Sequence, residues 1–243
     1  MSALRLACWS GPRNISTAML RSWENRPDTA VVDEPLYAHY LAHTGLDHPS
    51  AEEVIATGDT DWQSVIAMLT GPIPGGRALF YQKHMTHHLL AHIDTAWFGA
   101  VTHAFLIRDP REVLLSYVKS RATVTADDLG VPQQQRIYAQ VRALTGRDPV
   151  VIDGNEFLKD PEGQLRAWCS ALRLEFTERM LRWPAGPRAT DGVWAPHWYA
   201  AVLSSTGFEP WRERDRRVPT AHRAVIDACM PGYESLFAKR LRT

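Results

Sequence analysis

"CWSGPRNISTAML", residues 8–20, joins a short apolar run to what its spacing predicts as the first turns of a helix. A strand, a turn and a helix in this order aim backbone N–H groups and the positive end of the helix dipole at one point, where a phosphate or sulfate fits. Arg13 adds a planar fork of donors, and Ser16 and Thr17 can cap the helix or reach an anionic oxygen. The alternative is an ordinary helix start with a solvated Arg13. The stretch therefore predicts either an anion-binding loop or a plain helix cap.

Five short apolar runs, each close to Pro, Gly or charged residues, alternate along the chain with stretches of helical periodicity. The runs are residues 4–9, 30–33, 78–82, 103–107 and 150–152. Strands that alternate with helices predict an α/β fold of three layers, a doubly wound parallel sheet of about five strands with helices on both faces. Ligands of such sheets bind at the carboxyl ends of the strands, where the turn in residues 8–20 also lies.

Composition restricts the class of protein and its partners. A chain of 243 residues with 45% hydrophobic side chains fits one domain over residues 1–243. Lys plus Arg and Asp plus Glu number 27 each, so no global field favours nucleic acid or an anionic membrane. Three distant cysteines predict reduced thiols, and no apolar run has membrane-spanning length or the form of a signal peptide. We expect a cytoplasmic protein that binds neither nucleic acid nor a membrane.

A second stretch, "FLIRDPREVLLSYVKS" at residues 105–120, predicts a strand ending in Arg108, an Asp-Pro turn and a helix that carries Ser116. Together with residues 8–20 it resembles the cytosolic and carbohydrate sulfotransferase family, whose sulfuryl donor is 3′-phosphoadenosine 5′-phosphosulfate (PAPS). The 5′-phosphosulfate loop of that family reads P-[KR]-[SG]-G-[TS]-[TS], and its 3′-phosphate motif reads R-[ND]-P-x-[DE]-x-x-x-S. The matching residues are Pro12, Arg13, Asn14, Ile15, Ser16 and Thr17 for the first motif, and Arg108, Asp109, Pro110, Glu112 and Ser116 for the second.

This resemblance implies a P-loop type of nucleotide-binding fold in which residues 12–17, together with Gly11, hold the phosphosulfate while Arg108 and Ser116 hold the 3′-phosphate. The chain is not a Walker A protein, because Asn14 and Ile15 stand where that motif has glycine and lysine. Ile15 also replaces the loop glycine of the sulfotransferase pattern. A β-branched residue must keep a negative φ, so we expect a loop geometry that differs from the parent motif.

The resemblance covers residues 4–176 and includes "VVDEPLY" at residues 31–37. Residues 177–243 are predicted to be irregular and helical, and we assign them to the acceptor pocket and to a lid over the donor. The Arg-Lys-Gly loop that closes over the donor in many members has no copy here. Four arginines are candidates to replace it, although alternating charges also fit a solvated face. They are Arg212, Arg214, Arg216 and Arg217.

Transfer to an acceptor hydroxyl requires a general base, and two residues are candidates. His84 lies in "FYQKHMTHHLL", residues 80–90, which resembles the K-T-H segment that supplies the catalytic histidine of the cytosolic branch. Glu34 ends the second predicted strand, where a raised pKa would suit a base; the alternative is a loop carboxylate or a structural partner of Arg13. With Arg13 as the residue that contacts the leaving phosphate, the catalytic candidates are Arg13, His84 and Glu34.

A metal site is the remaining hypothesis for the histidines of this region. His84, His88 and His92 are spaced by four residues, which would place them on one face of a helix. No H-E-x-x-H arrangement accompanies them, and sulfuryl transfer requires no metal. We therefore expect no metal, and we interpret His87, His88 and His92 as half-exposed helix residues.

The sequence favours a PAPS-dependent sulfotransferase that acts on a hydroxyl or amine of a small-molecule acceptor. One alternative is an ATP-dependent P-loop phosphotransferase, which would need a carboxylate for Mg²⁺ and usually the missing glycine-lysine pair. The other is a nucleotide-binding protein of the same fold that has lost transfer activity.

Overall fold

The computed structural model describes residues 3–119 and 123–243. Five strands form one parallel sheet in the order β2-β3-β1-β4-β5. They are β1 (Leu4–Ser10), β2 (Thr29–Asp33), β3 (Leu79–Met85), β4 (Thr102–Ile107) and β5 (Val150–Asp153). The structure confirms the α/β class and all five predicted strands. The main difference is that β3 continues past residue 82 to Met85.

Twelve α-helices connect and cover the strands in the described part of the chain. They are α1 (Ser16–Glu24), α2 (Tyr37–Thr44), α3 (Ala51–Thr57), α4 (Trp62–Thr70), α5 (Pro110–Tyr117), α6 (Ala126–Leu129), α7 (Val131–Thr145), α8 (Gly154–Lys159), α9 (Pro161–Ala171), α10 (Ala195–Trp198), α11 (Ala200–Leu203) and α12 (Arg223–Phe237). The last residue of the quoted stretch 105–120 lies outside the described residues. None of the helices described is long and apolar enough to cross a membrane.

Alternate side chains of each strand point to opposite sides of the sheet. Helices cover both sides, so a hydrophobic cluster lies on each face. On β1, Leu6 and Cys8 belong to one hydrophobic cluster, and Ala7 and Trp9 belong to the other. The first cluster includes residues of α1 and α9: Met19, Leu20, Trp23, Leu165 and Trp168. The second includes residues of α4, α5, α7 and α12: Val65, Leu69, Val113, Leu114, Ile137, Val141, Ile226 and Leu236. This gives the expected three layers.

The sheet brings distant polar residues to one edge. Asp33, at the end of β2, is the register partner of Lys83 on β3. The loop after β1 leads into α1, and the turn after β4 contains Arg108. Because all five strands are parallel, these groups meet at the carboxyl edge, which is where ligands of such sheets bind.

Candidate active site

The loop between β1 and α1 has an unusual backbone at Arg13. Ile15 keeps an ordinary φ of −85°, as expected for a β-branched residue, and the left-handed conformation falls on Arg13 at φ 55°. A non-glycine residue with positive φ is uncommon and often lies at a functional site. Gly11 lies in a closely packed position, since a Cβ there would lie 3.1 Å from the Leu129 carbonyl oxygen.

The polar side chains of this loop have different roles. The Asn14 Nδ2 group donates to the Leu106 carbonyl at 3.1 Å, and its Oδ1 accepts from the Ile15 N–H at 2.9 Å, so Asn14 fastens the loop to β4. The predicted side-chain cap is wrong, because Ile15 is the N-cap and α1 has no side-chain cap hydrogen bond. Ser16 and Thr17 are buried and line a crevice at the sheet edge. Their hydroxyls have no hydrogen-bond partner among the described residues.

The two sequence motifs meet at Arg13. The Arg13 Nε group donates to Ser116 Oγ at 2.8 Å, although the two residues are 103 positions apart. The Arg108 Nη1 group donates to the Arg13 backbone carbonyl at 2.7 Å. Arg13 itself is exposed. The loop after β1 and the turn after β4 therefore form one continuous group of donors.

Arg108 is held by a buried carboxylate that also reaches the C-terminal region. Its Nε and Nη2 groups donate to Glu112 Oε2 at 3.1 and 3.0 Å. The other oxygen of Glu112 accepts from Asn155 Nδ2 at 3.0 Å and from Arg216 Nε at 2.9 Å. Burial lowers the pKa of Arg108, Glu112 opposes that shift, and Arg214 adds to it. Of the four arginines considered as replacements for the missing loop, Arg216 and Arg214 thus approach Arg108.

Another arginine of that segment, Arg217, forms an ion pair on the solvated surface. Arg217 donates to Asp215 at 2.9 Å, and its side chain is 91% exposed. Some of these arginines therefore fit the replacement of the missing loop, and others fit a solvated face. Arg216, with a side chain 39% exposed, contacts the buried carboxylate of Glu112, while Arg217 belongs to the exposed face.

Lys83 forms the centre of a buried ionic network. Its Nζ group donates to Asp33 Oδ1 and Glu34 Oε1, both at 2.7 Å, and to the Tyr199 hydroxyl at 2.8 Å. That hydroxyl donates to the second oxygen of Asp33 and accepts from Trp194 Nε1 at 3.0 Å. Burial opposes the charged lysine, but Asp33 and Glu34 raise its pKa well above the ordinary value. The network joins β2, β3 and the C-terminal third.

Glu34 faces the crevice beside this network. Its Oε1 atom contacts Lys83, and its Oε2 atom lies 3.9 Å from His88 Nδ1. The side chain is 12% exposed, and the backbone has a positive φ of 45°. Burial raises the pKa of Glu34, and Lys83 opposes the shift without cancelling it. The ion pair of Glu34 is with Lys83, so the suggested pairing with Arg13 is not formed.

The structure does not bring His84 to the crevice. Because β3 continues to Met85, His84 points to the face opposite Lys83, and it is 2% exposed. Its ring stacks on Trp9 with centroids 4.4 Å apart, and Nε2 lies 3.3 Å from Gln82 Oε1. Burial, with a smaller contribution from His103, lowers the pKa of His84 to about 3. His84 is therefore a core histidine in this structure.

His88 occupies a position that the sequence did not indicate. The predicted helix is wrong here, since Thr86–His88 is a single 3-10 turn directly after β3. His88 is 2% exposed and stacks between Tyr37 and Tyr40, with centroids 4.6 and 4.8 Å away. Its Nδ1 atom has no hydrogen-bond partner among the described residues and faces Glu34. Burial lowers its pKa well below the ordinary value, so the ring is neutral.

The crevice joins these groups. Its lining includes Arg13, Ser16 and Thr17, together with Glu34, Lys83 and a set of aromatic and imidazole rings. These rings belong to Tyr37, His48, His87, His88, Tyr117, Trp198 and Tyr199. The crevice therefore combines anion donors, a carboxylate with a raised pKa and a wall of aromatic residues.

Comparison with known proteins identifies the family. The model of the sulfotransferase domain matches residues 4–240, which extends the resemblance seen over residues 4–176. The chain belongs to the sulfotransferase family. Two Arabidopsis thaliana relatives are similar, namely branched-chain-amino-acid aminotransferase-like proteins 2 and 1, with 34% and 36% identity over 229 residues. The match covers 94% of this chain but only 40% of each relative.

Solved sulfotransferase structures share the fold. The sulfotransferase domain of the Synechococcus PCC 7002 olefin synthase aligns with a TM-score of 0.58 at 16% identity, covering 100% of this chain and 98% of that one. The sulfotransferase from Alicyclobacillus acidocaldarius aligns with a TM-score of 0.55 at 13% identity, covering 99% and 98%. At these identities the likeness shows that this sulfotransferase family member has the common fold.

Proposed function

We propose that this chain transfers a sulfuryl group from PAPS to the hydroxyl or amine of a small-molecule acceptor. The observation that carries the proposal is the junction of the two motifs, in which Arg13 donates to Ser116 at 2.8 Å and Arg108 donates to the Arg13 carbonyl at 2.7 Å. Residues that the family resemblance assigns to the two ends of one donor are thereby in direct contact. Membership of the sulfotransferase family supports the reaction class.

The chemistry of the donor groups fits PAPS. The first N–H groups of α1 have no acceptor within the helix, and together with the Ser16 and Thr17 hydroxyls they suit the 5′-phosphosulfate. Arg108 and Ser116 suit the 3′-phosphate, because guanidinium and hydroxyl groups bind phosphate oxygens through charge-assisted hydrogen bonds. Arg214 and Arg216 add positive charge beside Arg108. In this proposal the C-terminal segment is the lid over the donor.

The residues of the crevice divide the steps of transfer between them. The acceptor oxygen or nitrogen forms a bond to sulfur as the bond from sulfur to the phosphate oxygen breaks. Arg13 stabilises the negative charge that grows on that phosphate oxygen, a role that needs positioning and charge more than covalent help. Glu34 takes the proton that the acceptor loses. The products are the sulfated acceptor and adenosine 3′,5′-bisphosphate.

Glu34 is the base in this proposal because of its position and its environment. It faces the crevice, whereas His84 is stacked on Trp9 in the core. A carboxylate whose pKa is raised by burial holds a proton more strongly than an exposed one, and the Lys83 ammonium at 2.7 Å keeps the ionised form accessible. His88 lines the crevice beside Glu34, with Nδ1 3.9 Å from the Glu34 Oε2 atom, and helps to shape the space in which the substrate hydroxyl lies.

The test is a transfer assay with PAPS and a panel of phenols, primary alcohols, amines and sugars, in which release of adenosine 3′,5′-bisphosphate is measured. We expect acceptor-dependent release without added Mg²⁺. Glu34→Gln should reduce turnover about a hundredfold or more while donor affinity changes little. His84→Gln is the control, and its turnover rate per folded molecule should be close to that of the wild type.

Two results would contradict the proposed reaction, and a third would contradict the assignment of the base. Turnover of ATP that depends on Mg²⁺, with no reaction of PAPS, would favour the phosphotransferase alternative. Donor binding without product across the whole panel would favour a binding protein that has lost transfer. An active Glu34→Gln variant beside a folded but inactive His84→Gln variant would return the role of base to His84.

A further inference from the structure

Three histidines outside the crevice lie together near the surface. His39 and His43 are one turn apart on α2, and His92 lies in the segment that follows β3. One ring nitrogen of each lies within 4.8 Å of those of the other two. The ring centroids of His43 and His92 are 4.3 Å apart, and those of His39 and His92 are 5.1 Å apart. His39 is buried, while His43 and His92 are exposed.

The hydrogen bonds of His39 orient it as a metal-binding histidine is oriented. Its Nδ1 atom lies 2.8 Å from the Thr60 carbonyl oxygen, which can only accept, so Nδ1 carries the proton. The lone pair is therefore on Nε2, which points at His92 Nε2 only 2.9 Å away. Metal-ligating histidines almost always donate their other ring N–H to a carbonyl, a carboxylate or water in this way.

The spacing and the donor type fit a first-row divalent ion. A zinc–nitrogen distance of about 2.0–2.1 Å in tetrahedral geometry separates two ligand nitrogens by about 3.3 Å. The observed 2.9 Å contact and the 4.8 Å limit lie on either side of that value, so small side-chain rotations bring three nitrogens onto one ion. Imidazole-only sets suit zinc, copper and nickel rather than magnesium or calcium, which prefer oxygen.

We propose that His39, His43 and His92 bind one such ion, with zinc as the reference metal and water at the remaining position. The ion ties α2 to the segment after β3. These two elements also carry Tyr37 and His88, whose rings stack 4.6 Å apart in the wall of the crevice. The proposed role is therefore to fix that wall. This site shares only His92 with the set of His84, His88 and His92 that the sequence suggested. It also departs from our expectation that no metal is bound.

The test uses the full chain without a histidine tag, stripped with a chelator and titrated with zinc against a chelating indicator. We expect one zinc ion per chain. His43→Ala and His92→Ala should each weaken zinc binding at least about tenfold. Loss of a residue that only orients a metal ligand already weakens metal binding by about tenfold or more, and these variants lose a ligand itself. Both positions are exposed, so the variants should fold normally. His222→Ala, a half-buried histidine outside the cluster, is the matched control and should bind zinc like the wild type.

Zinc X-ray absorption supplies a readout that separates this cluster from scattered surface histidines. The zinc-loaded protein should show nitrogen neighbours at about 2.0–2.1 Å with imidazole scattering, reduced in each cluster variant. Absence of stoichiometric binding would overturn the proposal, and so would equal zinc affinities of the cluster variants, the control and the wild type. The contact of His39 with His92 would then be a hydrogen bond between two imidazole rings only. Because the readout is metal binding, it is independent of whether the chain transfers sulfuryl groups.

Discussion

Replacing Lys83 by Met should strongly destabilise the protein. The Lys83 side chain is 2% exposed, and its Nζ lies 2.7 Å from both Asp33, 1% exposed, and Glu34, 12% exposed. Met keeps most of the apolar stem, so the change removes the charge without opening a large cavity. Two buried carboxylates and the Tyr199 hydroxyl then lose their shared donor. Removing one partner of a buried ion pair destabilises by about 3–5 kcal/mol.

The expected change in melting temperature follows from the size of the chain. For a domain of about 150–250 residues, each kcal/mol shifts the melting temperature by about 2–4 °C, so Lys83→Met should melt about 6–20 °C lower. In the wild type the raised pKa of Lys83 gives stability that is fully present below its ordinary pKa and is lost only as the pH rises through the higher folded value. Stabilisation by Lys83 is therefore complete at neutral pH.

The pH dependence of the variant gives a second readout. Burial already raises the pKa of Glu34, and without Lys83 the folded-state pKa rises further. A carboxyl whose folded pKa is raised destabilises the fold above that pKa, and protonation relieves this as the pH falls. The difference in melting temperature between variant and wild type should therefore be larger at pH 7.5 than at pH 5.

The assay is calorimetric melting at both pH values, with Lys159→Met as the matched control. Lys159 forms an exposed pair with Glu156 at 2.7 Å, and such surface pairs contribute about 1 kcal/mol or less. A Lys83→Met variant that melts within about 3 °C of the wild type, or no lower than the control, would refute the reasoning. A temperature difference that widens toward pH 5 would also refute it.

Three further predictions concern the crevice. Arg13→Ala should reduce turnover more than it weakens binding of adenosine 3′,5′-bisphosphate, because charge on the leaving oxygen grows toward the transition state. Arg13→Lys should have a milder effect, and steady-state kinetics and calorimetry measure the losses of turnover and of binding. Tyr199→Phe should lower the free energy of unfolding by about 1–3 kcal/mol in urea titration, since Asp33, Lys83 and Trp194 all lose a hydrogen-bond partner. The turnover rate should fall as the pH is lowered and Glu34 becomes protonated, and this fall should occur at a pH above the ordinary carboxyl pKa. A turnover rate that stays constant down to the ordinary carboxyl pKa would contradict Glu34 as the base.

The sequence predicted the sheet well because its strands are short, apolar and bounded by Pro, Gly or charged residues. All five predicted runs are strands, and a helix follows the turn after β1 as expected. The negative φ of Ile15 also followed from its β-branched side chain. These features depend on local chemistry, which a single sequence contains.

The direction of His84 could not be predicted in the same way. The predicted strand ends at residue 82, so Lys83 and His84 fell in the segment after it; because β3 continues to Met85, their side chains alternate and point to opposite faces. Lys83 faces Asp33 and Glu34 because β2 and β3 are neighbours with Asp33 opposite Lys83, and the order of strands is a property of the whole chain. The cluster of His39, His43 and His92 likewise joins segments that only the fold brings together.

Calorimetry with adenosine 3′,5′-bisphosphate and AMP on the wild type and on Arg108→Ala tests the central claim most directly. The two ligands differ in the 3′-phosphate, which Arg108 and Ser116 are proposed to hold. The wild type should prefer the bisphosphate by about 1.5–3 kcal/mol, the value of one charge-assisted hydrogen bond, or about tenfold to a hundredfold in Kd.

Arg108→Ala should remove most of this preference while it still binds AMP, which also shows that the variant is folded. Arg217→Ala, at a guanidinium that is 91% exposed, is the charge-matched control and should keep the preference. Equal affinities of the wild type for AMP and the bisphosphate, or equal weakening of both ligands by Arg108→Ala, would contradict the assignment of a PAPS site.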